Sequence, residues 1–144
     1  MKCKTIALGT LAFFISSFVI QGLLGFALAG EYFETISIFR KPPIIVLAFT
    51  QTIVTGIGFS ILYPMTPLDG APILKGLKFG LLIAIIVLPL VALDLPARFM
   101  IPSMEKWITV QGGLGIIHFA VSGVLIGLIY GTEPKKGEPS ISQR

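Results

Sequence analysis

Charge is missing from this chain in long blocks, and that constrains its fold more than any other feature. Thr5 to Ala29 contains no Asp, Glu, Lys or Arg; nor does Pro42 to Leu68, nor Trp107 to Thr132. A further block, Phe79 to Leu93, is bounded by Lys78 and Asp94. A bilayer core about 30 Å thick is crossed by roughly 20 apolar residues in a helix. The fourth block reaches that length if its helix begins near Ile73, with Lys75 and Lys78 snorkelling to the head groups. Only 12% of the residues are charged, against about 25% in a soluble domain. So few charges cannot cover a water-facing surface, so most of the surface must meet lipid. The expected fold is an all-α membrane protein, a four-transmembrane-helix bundle. Its helices are expected at about 5–28, 44–63, 73–93 and 105–130, in one domain over 1–131. The remainder, 132–144, is polar and Pro/Gly-rich and reads as a disordered cytoplasmic tail.

Ala27-Leu28-Ala29 before Gly30 has the look of a signal-peptidase site after a basic "MKCK" start. A leader's apolar core is about 7–15 residues long, whereas Thr5 to Phe26 is already 22 uncharged residues. The first run is therefore expected to stay as a helix. With four spans, Lys2, Lys4, Lys75, Lys78, Lys135, Lys136 and Arg144 share one side, facing Arg40, Lys41, Arg98 and Lys106 on the other. That bias places both termini in the cytoplasm. Tyr32, Tyr63, Trp107 and Tyr130 fall at the expected helix ends, as an interfacial aromatic belt would.

Val54–Pro64 aligns without a gap on Val121–Gly131, at an offset of 67, with Val, Gly and Tyr shared. The same offset sets Gln51 on His118 and Gly9 on Gly76. A helix hairpin used twice is one reading, with an axis along the membrane normal; chance similarity between apolar helices is the other.

Lipid tails are as apolar as leucine, so small residues and interhelical hydrogen bonds hold membrane helices together. The second helix has Ala48, Thr52, Gly56 and Ser60 at i, i+4 spacing; the third has Gly76, Gly80 and Ala84; the fourth has Gly123, Gly127 and Gly131. These are expected packing faces, and one is expected to serve a second copy. The fourth helix also carries Gln111, Gly115, His118 and Ser122 on one side. Gln51 and Thr55 line one side of the second helix, and Gln21 lies near the end of the first. Gln21, Gln51, Thr55, Gln111, His118 and Ser122 are thus candidates for a polar cluster, with Asp94 and Arg98 at its mouth. Such groups either pin helices together or line a pocket or path for a small solute.

A lone histidine cannot supply bis-His haem ligation or a multi-ligand metal site, and one cysteine excludes a disulfide framework. No nucleophile–base pair or phosphate loop is visible. Basic residues are too sparse for nucleic acid. No cofactor is expected. The segments "GTLAFF" (Gly9 to Phe14), "ILKGLKFGLLIAI" (Ile73 to Ile85) and "HFAVSGVLIGLIYG" (His118 to Gly131) resemble small four-span bacterial membrane proteins of unknown function. The resemblance implies a bacterial cytoplasmic membrane and transfers no site residue. The expected activity is a non-enzymatic membrane assembly partner or homo-oligomer. The alternative is a small transport or ligand-binding bundle using Gln51, Gln111 and His118.

Overall fold

The computed structural model describes residues 3–131. The tail 132–144, and the charges Lys2, Lys135, Lys136 and Arg144 of the topology count, lie outside the described residues. Four helices are each long and apolar enough to cross a membrane, and there is no strand among the described residues. They are α1 (Cys3–Glu34), α2 (Ile45–Met65), α3 (Pro72–Arg98) and α4 (Met104–Gly131). The chain is an all-α, four-helix bundle with the architecture of a multi-pass membrane protein. Leucine, isoleucine and valine side chains stand exposed along all four helices, as a lipid-facing surface requires.

Two helices run further than hydropathy suggests. α1 continues to Glu34 and α3 to Arg98. Each passes through a widened π-helical turn, Phe18–Leu24 in α1 and Leu90–Asp94 in α3. In α3 the cause is local. Pro89 cannot donate to the Ile85 carbonyl, and the helical ladder widens directly after it. In α1 the helix is also broken at Ala29 (φ −139°, ψ 17°), beyond which it kinks. Ala29, Tyr32 and Ile36 then pack on Trp107 at the start of α4. Glu31 and Glu34 end the hydropathy signal, but tertiary packing carries the helix past them.

α4 is the most buried helix and α2 the least. α4 packs between α3 and α1, and α2 packs mainly on α1. The α3–α4 crossing is backbone against backbone. A Cβ on Gly76 would fall on the Gly123 carbonyl, one on Gly80 on the Phe119 carbonyl, and one on Gly127 on the Pro72 carbonyl. Such close approach favours many dispersion contacts and Cα–H···O contacts, which replace the hydrophobic drive that lipid removes. The α1–α2 crossing is looser. Gly9 faces Ser60, and Gly56 faces the Thr10 carbonyl and Phe13.

The two crossings share one register. Gly9 opposite Ser60 in the first hairpin becomes Gly76 opposite Gly127, 67 residues later. Phe13 opposite Gly56 becomes Gly80 opposite Gly123. The offset read from the sequence thus recurs in the contacts. Gly76, Gly80, Gly123 and Gly127 hold α3 to α4 within the chain.

At the level of these crossings, each helix contributes one phenylalanine to a plug. Phe59 lies 4.7 Å from Phe79 and 5.0 Å from Phe13 between ring centroids, and Phe119 completes the set. Tilted and edge-on rings satisfy the aromatic quadrupoles. The end aromatics face the bundle more than the interface. Tyr32, Tyr63 and Trp107 are buried. The Tyr32 hydroxyl donates to the Ser103 carbonyl, the Trp107 indole to Val91, and the Tyr130 hydroxyl to Ser60. Lysines cover two of these rings: Lys75 Nζ lies 5.3 Å from the Tyr63 ring, and Lys106 Nζ 5.1 Å from Tyr32.

Candidate functional site

The helix seams carry the polar side chains in two groups. The first is internal, between α1 and α4. Ser16 Oγ and Ser122 Oγ are 2.6 Å apart, and Ser16 lies 3.0 Å from the Phe13 carbonyl oxygen. One turn along α4, His118 is 2% exposed and its Nδ1 lies 3.1 Å from the Gln21 side-chain nitrogen. Its ring meets Phe13 edge-on at 4.9 Å. The π-helical turn of α1 contains Gln21, and such turns re-aim side chains that a regular ladder would not. His118 Nε2 is buried without a hydrogen-bond partner, as is Ser60 Oγ.

The second group lines a groove of about 320 Å³ between α1 and α2, on the lipid-facing side. Its polar walls are Ser17 and Gln21 from α1 and Gln51 and Thr52 from α2. The groove exists because α2 leans away here: every residue from 41 to 51 is exposed. The expected small-residue face of α2 therefore divides. Gly56 and Ser60 are buried in the crossing, while Ala48 and Thr52 line the groove. A second groove of about 600 Å³ continues the seam towards the 35–44 loop, past Phe26 and Leu47 to Arg40 and Lys41.

Gln21 belongs to both groups. It touches His118 inside and reaches the groove outside. The six candidates thus separate. His118, Ser122 and Gln21 are brought together in one seam. Gln51 is exposed and donates to Thr55 on its own helix at 3.1 Å, while Thr55 donates to the Gln51 carbonyl. Gln111 is half-buried and makes no side-chain hydrogen bond among the described residues. Gly115 leaves the polar face, since it meets Leu88 of α3. Asp94 and Arg98 pair with each other at 2.9 Å, both substantially exposed.

Ser16 and Ser17 escaped the sequence reading. Ser17 stands at i, i+4 from Gln21, a spacing that could have found it, whereas Ser16 is five residues away and joins Gln21 on the α4 seam only through the π-helical turn. Among the described residues no group of three His, Cys, Asp or Glu side chains could hold a metal ion.

The same groove is built twice. Moving the nine residues that line it forward by 67 lands six of them in a groove of about 540 Å³ between α3 and α4. Phe14, Ser17, Phe18, Gln21, Gly22 and Phe49 become Leu81, Ala84, Ile85, Leu88, Pro89 and Ile116. The frame is kept and the polarity is lost.

Compared with known proteins, the chain matches no family model, no curated protein and no solved structure.

Proposed function

We propose that this protein is a membrane-embedded binding protein that acts without catalysis, and that its site is the groove between α1 and α2. The observation that carries this reading is Gln51. It stands exposed in a span, bonded only to neighbours on its own helix. Polar groups facing hydrocarbon are costly and mark functional positions. Helix glue accounts for Gln21 through His118, but not for Gln51. Catalysis has little support: His118, Ser16 and Ser122 are buried where no substrate can reach them, and the groove holds no ionisable side chain. The aromatic plug lies between this groove and the other end of the bundle, so binding suits the geometry better than conduction.

The test is a photoreactive, bilayer-partitioning probe applied to the protein in liposomes. Saturable labelling concentrated at residues 14–22 and 48–52 is the expected result. Labelling spread evenly over all four helices, without saturation, would count against the reading.

A second reading, membrane assembly, draws on the same exposed half of α2, where Ile45, Val46, Leu47 and Val54 stand open. Single cysteines at Val46 and Val54, in a Cys3→Ser background, would then crosslink to a second copy or another membrane protein. Absence of any crosslink beyond that of a lipid-facing control such as Ile86→Cys removes it.

A further inference from the structure

Resting on that binding site, we infer the chemical class of its ligand: a bilayer-soluble amphiphile whose head group is uncharged and carries both a hydrogen-bond donor and an acceptor, such as an alcohol or a primary amide. The head would lie between Gln21 and Gln51, and its chain would follow the apolar continuation of the α1–α2 seam past Phe14, Leu11 and Ile53.

Hydrogen-bond capacity supplies the first argument. A glutamine side chain has two N–H donors and a carbonyl with two lone pairs. Gln21 uses one group on His118. Gln51 gives one N–H to Thr55, and its carbonyl is left open, because the Thr52 hydroxyl 3.4 Å away gives its single proton to Ala48. Each amide therefore keeps a free N–H and free acceptor capacity on the groove. The Thr52 hydroxyl donates to the Ala48 carbonyl and can only accept from a ligand. A head group that both gives and takes can satisfy the two amides; a hydrocarbon satisfies neither.

Charge supplies the second. None of the residues lining this groove is ionisable. An ion held there would be desolvated without a counter-charge, which is the most costly arrangement in an apolar medium. Arg40 and Lys41 lie further along, at the loop end of the seam. Along α2, Gln51 is about 9 Å from the helix start at Ile45, at 1.5 Å per residue. Lys41 Nζ is held at that loop end on the Glu34 carbonyl, at 2.7 Å.

The third argument is internal. The equivalent groove on α3 and α4 keeps the same frame with Ala84 and Leu88 where Ser17 and Gln21 stand. The hairpin packs without polar walls, so packing does not require them in the first copy.

The experiment uses the full chain in liposomes and three photoprobes on one diazirine-bearing alkyl chain: a primary alcohol, the plain hydrocarbon and the carboxylate. The alcohol is expected to label residues 14–22 and 48–52 about tenfold more than the other two, one tenfold step being the scale of a single well-made hydrogen bond. Gln51→Leu should reduce the alcohol to the hydrocarbon level. It breaks no contact between helices, so its thermal midpoint should match the parent and show that the fold is kept. Gln21→Leu, which copies Leu88, should do the same at some cost in stability. Equal saturable labelling by all three probes, or preference for the carboxylate, would overturn the inferred head group while leaving the groove as a binding site. No saturable labelling by any probe would overturn the site as well.

Discussion

Gln21 and His118, 97 residues apart in sequence, place a side-chain nitrogen 3.1 Å from Nδ1 across the α1–α4 seam. That contact joins the lipid-facing groove to the buried interior. It is also the side-chain contact that fixes the His118 ring across the seam. Its energetic worth is measurable. Interhelical hydrogen bonds in membranes average about 0.6 kcal/mol and reach about 1.7. A double-mutant cycle of Gln21→Leu and His118→Leu, read by unfolding in mixed micelles, should give a coupling in that range. A coupling indistinguishable from zero would mean that the two side chains are not bonded in the membrane.

The Ser16–Ser122 pair should behave differently, because the two hydroxyls are buried together. Ser122→Ala leaves Ser16 with the Phe13 carbonyl as its remaining partner. A loss of about 1 kcal/mol is expected. Ser16→Ala combined with Ser122→Ala should cost less than the sum of the single changes, since neither then leaves a partner behind. Strict additivity in the same unfolding assay would rule against the contact.

Glycines on α4 divide sharply by position. Gly123→Ala places a methyl group on the backbone of Gly76 and Gly80, and must push α3 away. Loss of several kcal/mol or failure to fold is expected. Gly112→Ala and Gly113→Ala meet nothing within 4 Å. They should be neutral or more stable by up to about 1 kcal/mol, from helix propensity alone. Thermal midpoints for the three variants would separate these outcomes. A Gly123→Ala variant that folds as well as the parent would contradict the crossing.

Cleavage after Ala29 would remove Phe13, Ser16 and Ile20 from the interior. It would also cut beside Ala29, itself 3% exposed against the Trp107 cluster. The segment before Gly30 is therefore expected to stay attached, and intact-mass spectrometry of membrane-extracted protein should find it. A species beginning at Gly30 would show that the first helix is a leader.

The fold was legible because lipid imposes a one-dimensional rule. A span needs a long uncharged run, and four such runs are visible without knowing any contact. The α3–α4 packing face was legible for a related reason, since small residues at i, i+4 have few uses in a membrane other than close approach. What the stripes would touch was not legible. Gly123 offers the same bare surface to α3 as to another molecule, and only the tertiary crossing gave it to α3.

Polar residues were harder. His118 and Ser122 were found by their spacing on a regular helix. Ser17 and Gln21 share a face at i, i+4, but Ser16, five residues before Gln21, joins it on the α4 seam only through the π-helical turn. Gln51 and His118 occupy equivalent positions at the 67-residue offset, yet one faces the groove and the other is buried. That difference comes from neighbours: α4 has a helix on both sides, whereas the half of α2 that carries Gln51 meets only α1. The sequence by itself determined that the chain carries four runs long and apolar enough to cross a membrane, because transfer of uncharged runs into lipid depends on local composition. The tertiary structure decided which polar groups are spent inside and which are left facing the bilayer, because that depends on the lean of α2 and the widened turn of α1, which no local pattern records.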